Sequence, residues 1–228
     1  MTEPLADERN LYAPPLSAVV DVVAERQTPP LYVVAPYKCM LLYFTTVGFY
    51  AFYWCWRHWS LLRRREGPEL WPLPRAVLHL VFMHSLFRRI DARLQSAQRG
   101  SEQHGSEQYG FGQHGFSPQE SLQPMVRWSP VLQAWVYVLF SVAGLVLDHL
   151  AADDIGFPLT DVLTFMTLLP TGYALLQAQN AANAACGDPA GAGNARLSPA
   201  NYLWLILGFL LWAVVLLGFW IMLSGEVE

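Results

Sequence analysis

The chain has 228 residues, 54% of them hydrophobic and only 14% charged, against roughly 25% charged in an ordinary soluble domain. That composition excludes a protein whose main solvent is water, and the formal net charge of -4 gives no reason to expect nucleic acid as a partner. Nine Trp, ten Tyr and twelve Phe supply rings suited to anchoring at headgroup level. Cys39, Cys55 and Cys186 are too widely spaced for a disulfide framework or a zinc site.

Residues 1–37 read as a polar arm: Pro14-Pro15 and Pro29-Pro30 break any long helix, and Asp7, Glu8, Asp21 and Glu25 keep it wet. No basic region followed directly by an apolar stretch opens the chain, so no cleavable signal peptide is expected. From Cys39 to Trp56 runs an uncharged stretch of 18 residues. A helix needs about 20 to cross roughly 30 Å of hydrocarbon, and the flanking residues extend the stretch to a first expected span over 38–59.

Residues 60–94 carry Arg63-Arg64-Arg65, a Gly67-Pro68 turn and Trp71-Pro72-Leu73-Pro74, which cannot continue a helix cleanly. Ala76 to Phe87 is uncharged for only 12 residues and ends in a basic cluster. It reads as an amphipathic helix lying in the interface or dipping part way, its arginines snorkelling to phosphate; a short tilted span is the rival reading. Residues 95–127 include a degenerate five-residue repeat rich in Gly, Gln and Ser, expected as a disordered loop.

Trp128 to Leu147 is uncharged for 20 residues and opens on Ser129-Pro130, an N-cap and a first-turn proline; the second span is expected over 128–148. A third follows over 157–177, with Asp161, several threonines, Pro158 and Pro170. Residues 178–199 read as a polar loop, and 200–224 as a Leu-rich fourth span. The expected fold is an all-α polytopic membrane bundle of about four spans plus one interfacial amphipathic helix.

Of the 14 Lys and Arg, ten lie between Arg57 and Arg127. By the positive-inside rule 60–127 is cytoplasmic, and four spans then place both termini on the periplasmic side; a crossing at 75–94 would separate them.

The segment Thr46-Val47-Gly48-Phe49-Tyr50-Ala51-Phe52-Tyr53-Trp54 resembles a T-x-G-x-Y-x-x-Y-W pattern of uncharacterised bacterial inner-membrane families of the domain-of-unknown-function type. Trp71-Pro72-Leu73-Pro74-Arg75-Ala76, His84-Ser85-Leu86-Phe87-Arg88-Arg89-Ile90 and Tyr12-Ala13-Pro14-Pro15 are similar to them too. The likeness covers mainly residues 12–93. It implies a multi-pass protein of a bacterial inner membrane and carries over no activity and no catalytic residue.

Gly48, with Tyr50, Tyr53 and Trp54, fits a close helix contact, because a missing Cβ lets backbones approach. Trp204, Gly208 and Trp212, at i, i+4 and i+8, form a stripe with a glycine notch that suits a partner helix, a sterol or a lipid tail. Arg63, Arg64, Arg65, Arg75, Arg88, Arg89 and Arg93 suit anionic lipid, although orientation alone also accounts for them. Asp161 is an ionisable group at or near membrane depth, or else an acid complementing a helix N-terminus.

Asp148, His149, Asp153 and Asp154 have hard-metal residue types but read as a solvated loop, and His79 and His84, five apart, do not share a face. No nucleophile elbow, phosphate loop or dinucleotide fingerprint occurs, and no cofactor is expected. The favoured function is a non-enzymatic accessory or scaffolding subunit binding another membrane protein, itself, or anionic lipid. The alternatives are a small oligomeric transporter or channel using Asp161, and a lipid-acting membrane enzyme with lipid near His84 or His149.

Overall fold

The computed structural model describes residues 29–108, 128–153 and 155–224, with the backbone alone for 101–108. Every regular element among them is helical: α1 (Pro36–Thr45), α2 (Tyr50–Glu66), α3 (Pro72–Val77), α4 (His79–Gln108), α5 (Pro130–Ala152), α6 (Leu159–Met166), α7 (Leu168–Ala185) and α8 (Pro199–Ser224), with a 3-10 turn at Ala192–Asn194. Three stretches are long and apolar enough to cross a membrane: Pro130–Ala152, Leu159–Ala185 and Pro199–Ser224.

The expected span at 38–59 is two helices and not one rod. At its middle the Thr45 and Thr46 hydroxyls turn back to the Leu41 and Leu42 carbonyls at 2.6 and 2.7 Å. Such bonds offer the chain an alternative to continuing the helix. Val47 and Gly48 follow at φ 50 and 85, a left-handed pair that reverses the chain and that only glycine adopts without steric cost. Thr46 Oγ1 then accepts from the Tyr50 backbone N–H at 3.0 Å, opening α2. Hydropathy sums over such a turn; turn chemistry does not.

The two arms of this hairpin return to one end of the bundle. Before α1, the extended segment at 31–35 is pinned to the last turns of α7, with Asn183 taking both the N–H and the C=O of Val34 at 3.2 and 2.9 Å. The tip, by contrast, reaches the start of α7 and the middle of α8: Gly48 sits against Leu168, and the indole of Trp212 donates to the Phe44 carbonyl at 3.0 Å. α2 then runs back, placing Trp54 beside Gln179.

α3 and α4 make a second, shorter excursion along the bundle. His79 packs against Phe52 and Tyr137, while Asp91 accepts from the indole of Trp128 just ahead of α5, so α4 runs antiparallel to α5 toward that same end. Met83, Leu86, Phe87, Ile90 and Leu94 are buried, the i, i+3, i+4, i+7 stripe of a helix with one core face. α4 continues to Gln108, into the stretch expected to be irregular. Gln95 bonding Asp91 and Arg99 bonding Gln95, each four residues back, support it there; residues 109–127 lie outside the described residues, as does most of the N-terminal arm.

α7 is the hub on which α1, α4 and α5 pack. Its buried face holds Gly172, Ala174, Ala178, Ala181 and Ala182, small residues that let backbones approach. The helix extends to Ala185, past the expected end of the third span, because its Gln and Asn side chains are partnered inside the protein. Pro170 removes an N–H and crowds the carbonyl four residues back, and the rod breaks there into α6 and α7 at Thr167. α8 is almost wholly exposed and leans on the rest through α1.

Candidate functional site

Two polar regions stand out, and they differ in how their groups are used. The first is a buried seam between the hairpin and α7. Gln179 Oε1 accepts from the Trp54 indole at 2.6 Å, while its Nε2 donates to the Tyr32 carbonyl at 3.0 Å and to Asn183 Oδ1 at 2.7 Å. Asn194 Nδ2 donates to the Val33 carbonyl and the Tyr32 hydroxyl, and its Oδ1 accepts from Lys38 Nζ at 2.7 Å. Lys38 also donates to the Arg196 carbonyl. Every Gln179 and Asn183 amide atom has a partner, and such closed networks fix one arrangement of the chain.

His58 is the exception within that seam. It is fully buried beside Gln179 with its ring against Trp54, 4.1 Å between centroids, yet neither ring nitrogen makes a hydrogen bond of good geometry.

The second region is the basic face where α2, α3 and α4 meet, and there the seven arginines divide. Arg89 and Arg93 both bind Glu66, at the end of α2, the second at 2.9 Å. Arg75 lies over the Trp59 and Phe82 rings at 4.8 and 5.0 Å, within cation–π range. Arg63, Arg64 and Arg65 occupy the last turn of α2, where cations complement the helix dipole. Arg88 is exposed and lines an open groove of about 800 Å³ with Val81, His84, Ser85 and the α5 residue Trp135.

The other expected positions fall as follows. Gly48 is a turn residue in left-handed conformation with Leu168 of α7 against it, while Tyr50 and Trp54 are buried and Tyr53 half-buried. The Gly208 notch, between half-buried Trp204 and Trp212, receives the end of α1, where a Cβ at 208 would overlap the Thr45 carbonyl. Asp161 lies in the first turn of α6 with Oδ2 buried and unbonded. Asp148, His149 and Asp153 sit at the end of α5, and Asp154 is outside the described residues. Among the described residues no three of His, Cys, Asp and Glu are grouped to hold a metal ion.

Sequence reading passed over Gln179, Asn183, Asn194 and Glu66. The first two carry a usable signal: amides four apart in an Ala-rich helical stretch share one face. Glu66 carries none beyond its place beside three arginines. Comparison with protein-family models, with curated proteins and with solved structures finds no match for the chain.

Proposed function

We propose that the chain is a non-catalytic accessory subunit of a bacterial inner membrane, presenting a basic face to anionic lipid at the cytoplasmic leaflet and its lipid-facing helices to another membrane protein or a second copy of itself. The observation that carries this reading is the surface of α3 and the start of α4. Trp71, Leu73, Val77, Leu78 and Val81 are all exposed, in the same stretch as Arg75 and Arg88. Outward-facing apolar side chains in one stretch with the exposed Arg88 guanidinium suit an amphipathic element lying at the headgroup–acyl boundary.

In this reading α5, α6–α7 and α8 cross the bilayer, and α1–α2 is a re-entrant hairpin. Its tip meets α8 at Gly208 and Trp212, roughly 14 and 20 Å along that helix at 1.5 Å per residue, near the midplane of a core about 30 Å thick. Irregular backbone at that depth is tolerated where protein buries or satisfies it; α7 and α8 lie against one side of this turn, the Gly48 N–H donates to the Tyr43 carbonyl at 2.8 Å and the Trp212 indole to the Phe44 carbonyl, while Phe49 faces outward. Three crossings with the arginine-rich connector inside put the N-terminal arm in the cytoplasm as well and the end of α8 outside. No acidic arm then needs translocation.

Crosslinking in intact membranes, followed by purification in mild detergent, tests the reading. The expected product is a stoichiometric complex with one membrane protein or with a second copy, dependent on anionic lipid. A monodisperse monomer that turns over a substrate overturns it.

A further inference from the structure

We infer that the groove between α4 and α5 is a binding site for one anionic glycerophospholipid, with Arg88 and Ser85 taking the phosphate and Val81 and Trp135 bedding an acyl chain. The inference rests on the interfacial reading of α3–α4 and assigns it a specific pocket.

Four observations on the groove converge. Its wall on α4 is the line Val81, Ser85, Arg88, Ala92, at i, i+4, i+7 and i+11, one face of a helix. That line is ordered by chemistry: Val81, 71% exposed, lies toward the deep end of α4, and Arg88 lies about 10 Å nearer the Trp128 end at 1.5 Å per residue. An apolar floor below a cation, in the direction of the bilayer normal, is the polarity of a phospholipid.

Second, the charges around Arg88 are already engaged, and Arg88 is not. Glu66 is taken by Arg89 and Arg93, and the two Asp91 oxygens accept from Trp128 and Gln95. No carboxylate among the described residues pairs with Arg88. A guanidinium with open donors at headgroup level is matched by a phosphate, which it binds through two parallel bonds.

Third, Ser85 lies one turn from Arg88 and adds a hydroxyl donor, while His84 lines the same groove with Nε2 shielded from solvent and unbonded. Fourth, the opposite wall is Trp135, half exposed and stacked edge-on with His84 at 4.8 Å between centroids. An indole at this level is a usual partner of a glycerol–acyl boundary.

The test is native mass spectrometry of the full chain in detergent, titrated with phosphatidylglycerol, with phosphatidylcholine, and with inorganic phosphate as competitor. Wild type is expected to retain one phosphatidylglycerol at least about tenfold more strongly than phosphatidylcholine, and millimolar phosphate is expected not to displace it. Arg88→Gln should lower that retention about tenfold, the scale of a charge-assisted bidentate contact; Arg88→Lys should fall between. Arg64→Gln, which removes the same charge outside the groove, should change it less than about threefold, and Trp135→Ala should weaken both lipids. Circular dichroism of each variant confirms that the helices persist.

Equal losses for Arg88→Gln and Arg64→Gln overturn the groove and leave the interfacial reading standing, since diffuse charge would then hold the lipid. Displacement by inorganic phosphate overturns it in favour of a simple anion site. Failure of the wild type to prefer phosphatidylglycerol over phosphatidylcholine overturns both the groove and the interfacial reading.

Discussion

Two stretches of this chain hold uncharged runs of 18 residues or more and take different shapes. Residues 200–224 form one helix whose side chains point almost everywhere outward, whereas 38–59 folds in two and buries Leu42, Tyr43, Tyr50, Trp54 and Cys55. Both hold a glycine near the middle, and the two glycines act in opposite ways. Gly208 stays helical and gives room to a neighbour, while Gly48, behind two threonines and in left-handed conformation, ends one helix so that another can begin. Apolar length alone does not make a segment one rod; hydroxyl back-bonding and positive φ can interrupt it.

The comparison is broken most severely at the seam, because the hairpin and not α8 depends on buried polar partners. Gln179→Leu orphans the Trp54 indole N–H and the Tyr32 carbonyl, at about 1–3 kcal/mol for each buried group left unpaired. The hairpin is expected to detach, read as a large fall in the thermal midpoint in detergent and new proteolysis at 46–49. An unchanged midpoint would show the seam to be incidental.

Gly208→Leu comes next, since its side chain collides with the Thr45 backbone and overpacking of this kind costs about 1–3 kcal/mol. It should free α8 from α1 and shift the Trp212 emission, leaving α4–α7 intact. The third contrast sets glycine against glycine. Gly48→Ala should destabilise by about 1–2 kcal/mol, the cost of a left-handed L-residue, while Gly218→Ala in α8, where an added Cβ meets nothing within 4 Å, should be neutral or stabilise by up to about 1 kcal/mol. Equal effects would mean that the turn is not formed.

The smallest effect is one of pH at the shared end of the bundle. The Gly193 and Ala192 backbone N–H groups bind the Asp188 carboxylate at 2.8 and 2.9 Å and hold it below the usual carboxylate range. A group whose folded-state pKa is depressed contributes stability above its unfolded value and loses it as pH falls. The unfolding midpoint should therefore drop slightly on acidification through the ordinary carboxylate range, and Asp188→Ala should flatten that part of the curve.

Much of the architecture was legible where periodicity and caps agree. Ser129-Pro130 opens α5 as its residue types require, with the Ser129 side chain accepting from Leu132 N–H, and the uncharged length of 128–147 leaves no other shape. The glycine notch on α8 was also legible as a place for a close neighbour, though not the neighbour itself, because sequence spacing says nothing of which segment arrives. The turn at 46–49 was harder. Its signals were present in Thr45, Thr46 and Gly48, but a window wide enough to detect a span averages over four residues.

The seam was hidden for another reason. Gln179 and Asn183 raise the polarity of a segment, and polarity reads as solvent exposure unless the partner is known; here the partner is backbone at 32–34, some 150 positions away in the chain. Glu66 was hidden likewise, as one acid in a basic cluster whose geometry decides that it holds Arg89 and Arg93 and leaves Arg88 open.

Sidedness tests the central claim most directly, because a hairpin returns to its own side and a span does not. Single cysteines at Pro29→Cys and Ser224→Cys, both at exposed positions, are introduced with Cys186 replaced by alanine and treated with a membrane-impermeant maleimide. In intact cells the Ser224→Cys protein should be labelled and the Pro29→Cys protein should react only after permeabilisation. Labelling of both from outside would mean that 38–59 crosses, and would contradict the account.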